Sequence, residues 1–275
     1  MLPVSQRISF VYLEHGKVRM RGAVPMLIER INDSVQETPI PIGRLACLMM
    51  GPGTSISHDV LKVCADAGCL LLWTGEYGVR VYSAGIPGGA AGHNTLRQAK
   101  IILDPQAKLL AARRLYRNMM GEEPPDRRSI EQLRGLEGVW VRNRYAELAK
   151  LYGVAWSGRN HRLSDAANRA ISMSTSTLYG IAEAAILAMG YSPALGIVHC
   201  GDDRSLVFDV ADTVKFRTVV PLAFRVVVEH GGDKELLTTV RRWCRDLFVK
   251  EKMLELLVQI IQEVFDDGLD GSIAD

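Results

Sequence analysis

Residues 199–215, HCGDDRSLVFDVADTVK, set one histidine and four aspartates directly behind the apolar run LGIVHC. Asp209 and Asp212 are three positions apart, so a helix starting here places both carboxylates on one face. Lys215 follows three positions later near the same side, while Val210, Ala211 and Val214 point elsewhere and can pack. An aspartate at a helix start also serves as a cap, because its oxygens accept orphan backbone N–H groups. That reading explains Asp209 alone and explains Asp212 less well. His199 closes an apolar run expected to be a buried strand or helix segment, where a histidine is either a hydrogen-bonded structural residue or a ligand. With Asp209 and Asp212 it makes an O, O, N donor set suited to Mg²⁺ or Mn²⁺. Glu137, in GLEG, is the candidate further acid, with flanking glycines that let backbone approach closely. It stands 62 residues before His199, beyond any local spacing rule. On the residues alone, capping acids and a metal site both stand. Asp202 and Asp203 are expected in a loop.

Other chemistries find less support. GGAAGHN and GPGTS lack the Gly-Lys-Ser/Thr ending of a phosphate loop, and no G-x-S-x-G or Cys-His nucleophile signature occurs. Ser172, Ser174 and Ser176 in SMSTST are expected to pack or to bond helix carbonyls. Five cysteines with no C-x-x-C pair argue against a disulfide framework or zinc knuckle and for a reducing, cytoplasmic compartment. The first residues lack a basic leader and apolar run, so no signal peptide is expected, and no window of 18 apolar residues suggests a membrane span. Net charge is only +2, but 97–169 carries 15 Lys and Arg against 8 Asp and Glu, and 240–275 carries 5 against 8. The pattern fits either a directional charged face or ordinary solvated helices.

The elements that must position these groups divide the chain in two. RISFVYLEHGKVRMRG reads as two strands around a His-Gly turn; AVPMLIERI, TPIPIG, RLACLMM, CLLLWTG and GVRVYSAG read as further extended pieces. Between them SISHDVLKVCADAG reads as a helix, with Ser57 as cap, Val60, Leu61, Cys64 and Ala67 as its packed face and Gly68 as its end. GIPGGAAGH is a compositional break. Helical periods follow: residues 95–121 as one long or two abutting helices with a break at Asp104-Pro105, 129–153 as two helices interrupted near Gly135 to Gly138, and 164–190 as the apolar central helix. PLAFRVVVEH and the stretch from Asp233 to Asp267 complete the helices, and GSIAD is expected to be a frayed tail. The expected fold class is α+β: a small β-rich N-terminal domain over 1–84, a linker over 85–93, and an all-helical domain over 94–275.

Longer stretches carry a more specific signal. IPIGRLACLMMGPGTSISH, GEYGVRVYSAGIPGG, RRSIEQLRGLEGVWVRNRYAELAKLYGV, STLYGIAEAAILAMGYSPALGIVH, LVFDVADTVKF and VVPLAFR run in order through nearly the whole chain. Together they resemble the CRISPR-associated integrase of the adaptation machinery, and look closest to the subtype I-E branch. The resemblance implies a metal-dependent DNA endonuclease and integrase. Such an enzyme inserts short foreign DNA fragments into a CRISPR array, by attack of a DNA 3′-hydroxyl on a phosphodiester at the repeat boundary. It implies Mg²⁺ or Mn²⁺ on Glu137, His199 and Asp212, with Asp209 a ligand or essential neighbour and Lys215 beside the second acid. It places Tyr179 near the active site and Arg80 at a DNA contact. It implies a double-stranded protospacer and repeat DNA as substrates, a homodimer, and a heterohexamer in which two dimers flank a dimer of a small second adaptation protein.

The chain departs from the family in three places. His15 stands where this branch can carry a tyrosine that wedges the protospacer ends, which makes His15 a candidate DNA-end contact. Ser55 replaces an arginine typical after PGT. The stretch GRNHRLSDAANR looks shorter than the usual loop before the central helix.

Overall fold

The computed structural model describes residues 8–32, 34–78, 80–85, 92–160, 165–232 and 234–266. The fold is α+β, with a β-rich N-terminal part followed by a helical bundle. Strands β1 (Ile8–Leu13), β2 (Gly16–Arg21), β3 (Val24–Ile31), β4 (Ser34–Pro39), β5 (Leu45–Met50), β6 (Thr54–Ile56), β7 (Leu70–Thr74) and β8 (Val81–Ala84) form two four-stranded sheets. Their orders are β1-β5-β7-β8 and β4-β3-β2-β6. The two strands flanking the His-Gly turn therefore do not pair with each other. β1 runs parallel to β5, whereas β2 pairs with β3 and β6. The reason lies in β5, which is buried at every position and needs a covering strand on each side. The short β6 was not expected from the sequence, and TPIPIG is split between the end of β4 and a 3₁₀ turn at Ile42–Arg44.

Helix α1 (His58–Ala67) lies where its periodicity predicts, with Val60 and Cys64 buried and Gly68 closing it at φ 62°. Ser57 occupies the cap position, but its hydroxyl makes no cap bond and is buried without a hydrogen-bond partner. The bundle comprises α2 (Gly92–Leu103), α3 (Pro105–Met120), α4 (Ile130–Tyr152), α5 (Ala166–Ala188), α6 (Ser205–Lys215), α7 (Val219–His230), α8 (Leu236–Lys250) and α9 (Met253–Val264). Of the expected linker, residues 86–91 lie outside the described residues, and Gly92 and His93 belong to α2. Residues 161–164, in the stretch expected to be a shortened loop, and the tail from 267 also lie outside them. Asp104 separates α2 from α3 by capping the latter, its Oδ1 accepting from the N–H groups of Gln106 (2.8 Å) and Ala107 (3.0 Å). Among the described residues no helix is long and apolar enough to cross a membrane.

The expected interruption near Gly135 to Gly138 is absent: α4 is one continuous helix of 23 residues. Each internal glycine costs roughly 1 kcal/mol relative to alanine but removes no ladder hydrogen bond. The ends compensate. Ser129 Oγ accepts from Gln132 N–H, Gln132 Oε1 accepts from Ser129 N–H, and Gly153 ends the helix at φ 67°.

α5 is the central element, buried along most of its length. Its small residues allow a close approach between the N-terminal part and the bundle. A Cβ on Gly180 would come 2.2 Å from the Gly78 carbonyl oxygen, so only glycine lets α5 lie against the 3₁₀ turn Glu76–Gly78. Alternate residues of the first sheet reach opposite cores. Leu48, Met50 and Leu71 join Val18 and Val60 beneath the N-terminal part, while Cys47, Met49, Leu70 and Leu72 meet Ala184 and Ala188 of α5. The sheet is thereby seated on the helix that carries Tyr179.

Candidate active site

The centre of the site is a carboxylate with no exposed side-chain surface. Asp209, on α6, accepts the N–H groups of Ile197 (2.6 Å), Val198 (3.1 Å) and His199 (3.0 Å). Its Oδ1 also lies 2.7 Å from the His199 ring Nδ1. These bonds explain why LGIVHC forms neither the strand nor the helix its apolar character suggests. The backbone donors that a ladder would have used go to one buried side chain instead. Gly196 permits the fold of this segment, since a Cβ there would stand 2.2 Å from the His199 carbonyl oxygen. Asp209 is thus neither a helix-end cap nor free to ligate: its oxygens are committed to the loop and to the imidazole. With the carboxylate as acceptor, the neutral ring carries its proton on Nδ1 and keeps the lone pair on Nε2. The hydrogen bond to Asp209 raises the His199 pKa above the ordinary imidazole value, burial opposes it, and the charges of Asp209, Asp212 and Glu137 add to the rise.

Asp212 and Lys215 are one turn apart on α6, and Lys215 Nζ donates to Asp212 Oδ1 at 2.6 Å. Burial works against the ammonium, but Asp212 and the phenols of Tyr145 and Tyr179 outweigh it and hold its pKa above the usual lysine range. Glu137 projects from α4 into the same crevice, where Tyr116 of α3 donates its hydroxyl to Oε2 at 3.0 Å. Burial pushes the Glu137 carboxyl up, the Tyr116 hydrogen bond pulls it back, and the charge of Asp212 raises it again. The close backbone approach suggested by the neighbouring glycines is not used: among the described residues nothing comes within 4 Å of a Cβ built on Gly135 or Gly138.

Glu137, His199, Asp209 and Asp212 therefore line one crevice, with Leu115, Met119 and Val198 as apolar walls. His199 and Asp212 also open onto a cleft of about 740 Å³ lined by Arg80, Tyr179, Glu183, Arg204 and Phe208. A second cavity of about 490 Å³ lies beyond Tyr179 and Lys215, with Arg142, Arg159, Tyr145 and Trp156 in its wall. Tyr179 stands between the two, its ring 5.0 Å from that of Phe208, and burial together with Asp212 pushes its phenol up to about 12. Arg80 reaches the cleft from the N-terminal part, on a turn where it takes φ 63° and its carbonyl accepts from Gly75 N–H. His15 stands apart: exposed on the turn between β1 and β2, beside Gly53, it lines none of these cavities. Asp202 is a loop residue, as expected, whose Oδ1 accepts from Arg204 N–H, while Asp203 reaches the rim of the large cleft. Sequence reasoning passed over Tyr116, Glu183, Arg204 and Phe208, which come from three different helices and the loop before α6.

Among the described residues no three His, Cys, Asp or Glu side chains are grouped closely enough to hold a metal ion. Each carboxylate in the crevice is engaged by its own donor: Glu137 by Tyr116, Asp209 by the loop, Asp212 by Lys215. The chemistry of the donors still suits a hard divalent cation. Two carboxylates face each other across a partly buried crevice beside an imidazole nitrogen with a free lone pair, and a cation relieves that repulsion.

Comparison with known proteins finds relatives along almost the whole chain. The family model described as CRISPR associated protein Cas1 matches residues 117–238, which contain all six of the expected site residues of the bundle, Glu137, Tyr179, His199, Asp209, Asp212 and Lys215. The CRISPR-associated endonuclease Cas1 of Geobacter sulfurreducens is 44% identical over 97% of this chain and 87% of its own length. That of Escherichia coli K12 is 44% identical over 97% of this chain and 88% of its own length. The crystal structure of a TtCas1–DNA complex superposes with a TM-score of 0.82 at 36% identity, covering 96% of this chain and 98% of that one. A casposase bound to integration product shares the fold alone, at 14% identity and a TM-score of 0.65. With relatives this similar along almost its entire length, the chain belongs to the Cas1 family of CRISPR-associated endonucleases.

Proposed function

We propose that this chain is the DNA integrase of a CRISPR adaptation system of the subtype I-E kind, joining the 3′-hydroxyl ends of a short duplex to the borders of a repeat. The observation that carries the reading is the convergence of Glu137, His199 and Asp212 on a crevice that opens into an arginine-lined cleft. Glu137, His199 Nε2 and Asp212 would hold Mg²⁺ or Mn²⁺, which supplies Lewis-acid stabilisation of charge developing on the scissile phosphate. Asp209 holds the imidazole in the tautomer and orientation that present Nε2. Lys215 holds Asp212 in place through its hydrogen bond.

In the reaction, the 3′-oxygen bonds to phosphorus as the bond to the repeat's bridging oxygen breaks. One phosphodiester replaces another, so strand transfer consumes no ATP, and the attacking hydroxyl's proton is matched by one taken up at the leaving 3′-oxygen. Arg80 and Arg204 bind backbone phosphates in the cleft without reading sequence, and Tyr179 packs against the sugar or base near the reacting end. The N-terminal part, over 1–84, serves dimerisation and DNA-end contact, with His15 at the duplex end; the bundle from 94 onward is catalytic. Two homodimers flanking a dimer of the small second adaptation protein would form the working heterohexamer.

The test is strand transfer from a labelled 3′-hydroxyl duplex into repeat DNA, with the partner protein and Mn²⁺. We expect joined products from the wild type and none from H199A or from a duplex ending in 3′-deoxynucleotides. Wild-type yield from H199A, or activity in excess chelator, overturns the reading. DNA binding without joining would favour a non-catalytic scaffold, and faster cleavage of simple branched duplexes a structure-specific nuclease.

A further inference from the structure

Tyr116 occupies a position that neither local spacing nor the reading of the acids brings forward. It lies near the end of α3, is 3% exposed, and sends its hydroxyl to Glu137 Oε2 at 3.0 Å. The other side chains that α3 turns toward this crevice, Leu115 and Met119, carry no N–H or O–H donor. The one other hydroxyl in its wall, that of Thr213, is spent on the Val210 carbonyl at 2.6 Å. The phenol is therefore the neutral donor available to Glu137.

Glutamate has three side-chain torsions, and α4 around Glu137 offers no packing over Gly135 or Gly138 to restrict them. One short donor from a buried ring on a neighbouring helix supplies that restriction. It occupies one lone-pair site on Oε2 and leaves Oε1 and the second site on Oε2 to accept another partner. We infer that Tyr116 is the positioning residue for Glu137, its hydroxyl holding the carboxylate in the crevice so that a divalent cation meets a preorganised ligand. The inference rests on the metal reading above.

The test uses Mn²⁺ alone, titrated into the full chain without DNA and followed by calorimetry or by the EPR signal of free Mn²⁺. The ring stays in Y116F, so packing is retained while the hydroxyl is lost. We expect wild type to bind, H199A to lose binding, and Y116F to bind roughly 10-fold more weakly, the range usual for groups that orient a ligand. In an E137Q background, Y116F should produce no further loss. Thermal melts of each variant set a titration temperature below every transition, so early melting of Y116F leaves the comparison intact. Equal Mn²⁺ affinity in Y116F and wild type overturns the role of Tyr116 while leaving the metal reading in place. The same 10-fold loss in the E137Q background overturns it too, because the effect would not pass through Glu137. Wild type that binds no Mn²⁺ while H199A is equally silent overturns the metal reading, and this inference with it.

Discussion

His199 Nδ1 stands 2.7 Å from Oδ1 of Asp209, and the same carboxylate accepts the backbone N–H groups of residues 197 to 199. One buried side chain thus sets both the path of the loop and the aim of the ring it carries. D209N is nearly isosteric, but its NH₂ confronts donors where an acceptor is needed. We expect a loss of stability of about 3 kcal/mol from buried donors left unpaired and a loss of strand transfer of roughly 10- to 100-fold. Urea denaturation and the joining assay check both; a variant with near-normal values in either would contradict the role assigned to Asp209.

The pH dependence of His199 runs in opposite directions for activity and stability. Its pKa is raised from 6.5, first by the Asp209 hydrogen bond. Protonation removes the Nε2 lone pair, so joining should fall on the acid side with a midpoint above that ordinary value. For the fold the linkage is reversed. A raised folded-state pKa contributes stability that is full below about 6.5 and lost as pH rises through the folded value. The melting temperature of wild type minus that of H199Q should be larger at acid pH than at alkaline pH. A gap that does not change with pH would remove the Asp209 contact as its cause.

Lys215 and Asp212 form a pair whose side chains are 11% and 15% exposed. K215M strips the ammonium from a carboxylate with little access to water, and we expect it to cost about 3 kcal/mol. The double variant D212N/K215M carries no stranded charge and should regain most of that stability while remaining inactive. Denaturation curves of the two variants decide the point. If K215M alone unfolds like wild type, the pair is not what keeps Asp212 in place.

Glu183 lies on α5 in the wall of the large cleft, where burial raises its carboxyl to about 7, against the pull of Arg204 and with the push of Asp203. Its folded-state pKa exceeds its ordinary value of 4.5. The folded state then holds the proton more tightly, and stability falls as pH rises from that ordinary value to the folded one. E183Q has no such charge to bury. It should match wild type at acid pH and exceed it above neutrality by about 1–2 kcal/mol, allowing for partial solvation. It should also bind duplex DNA more tightly at pH ~8, since a negative group beside Arg80 and Arg204 is gone. Melting curves at the two pH extremes and filter binding test this; identical curves at alkaline pH would refute it.

Local signals in the chain account for much of the fold. The Asp104-Pro105 break separates α2 from α3 because proline has no N–H to continue a ladder and aspartate supplies a cap. The apolar, small-residue period of 166–188 makes α5 the centre. The α6 spacing puts Asp212 and Lys215 one turn apart, close enough to pair. Where local cues misled, the deciding energy was not local. Two glycines weaken α4 without breaking it, since capping and packing outweigh their propensity cost. β1 leaves the adjacent β2 for the distant β5 because a fully buried strand must be covered on both edges.

The order of residues makes the reactive groups legible: one histidine behind an apolar run, two aspartates on a helix, a distant glutamate, and a basic middle. Tertiary structure decided their roles. It drew the oxygens of Asp209 inward to three backbone donors and an imidazole, so that a carboxylate chemically suited to ligation became the anchor of a loop and of the ring that loop carries. It brought Glu137 from α4 and Tyr116 from α3 to the same crevice. Spacing along the chain specifies contacts only within a few residues; which helices stand side by side depends on how the apolar faces of the entire bundle are buried together.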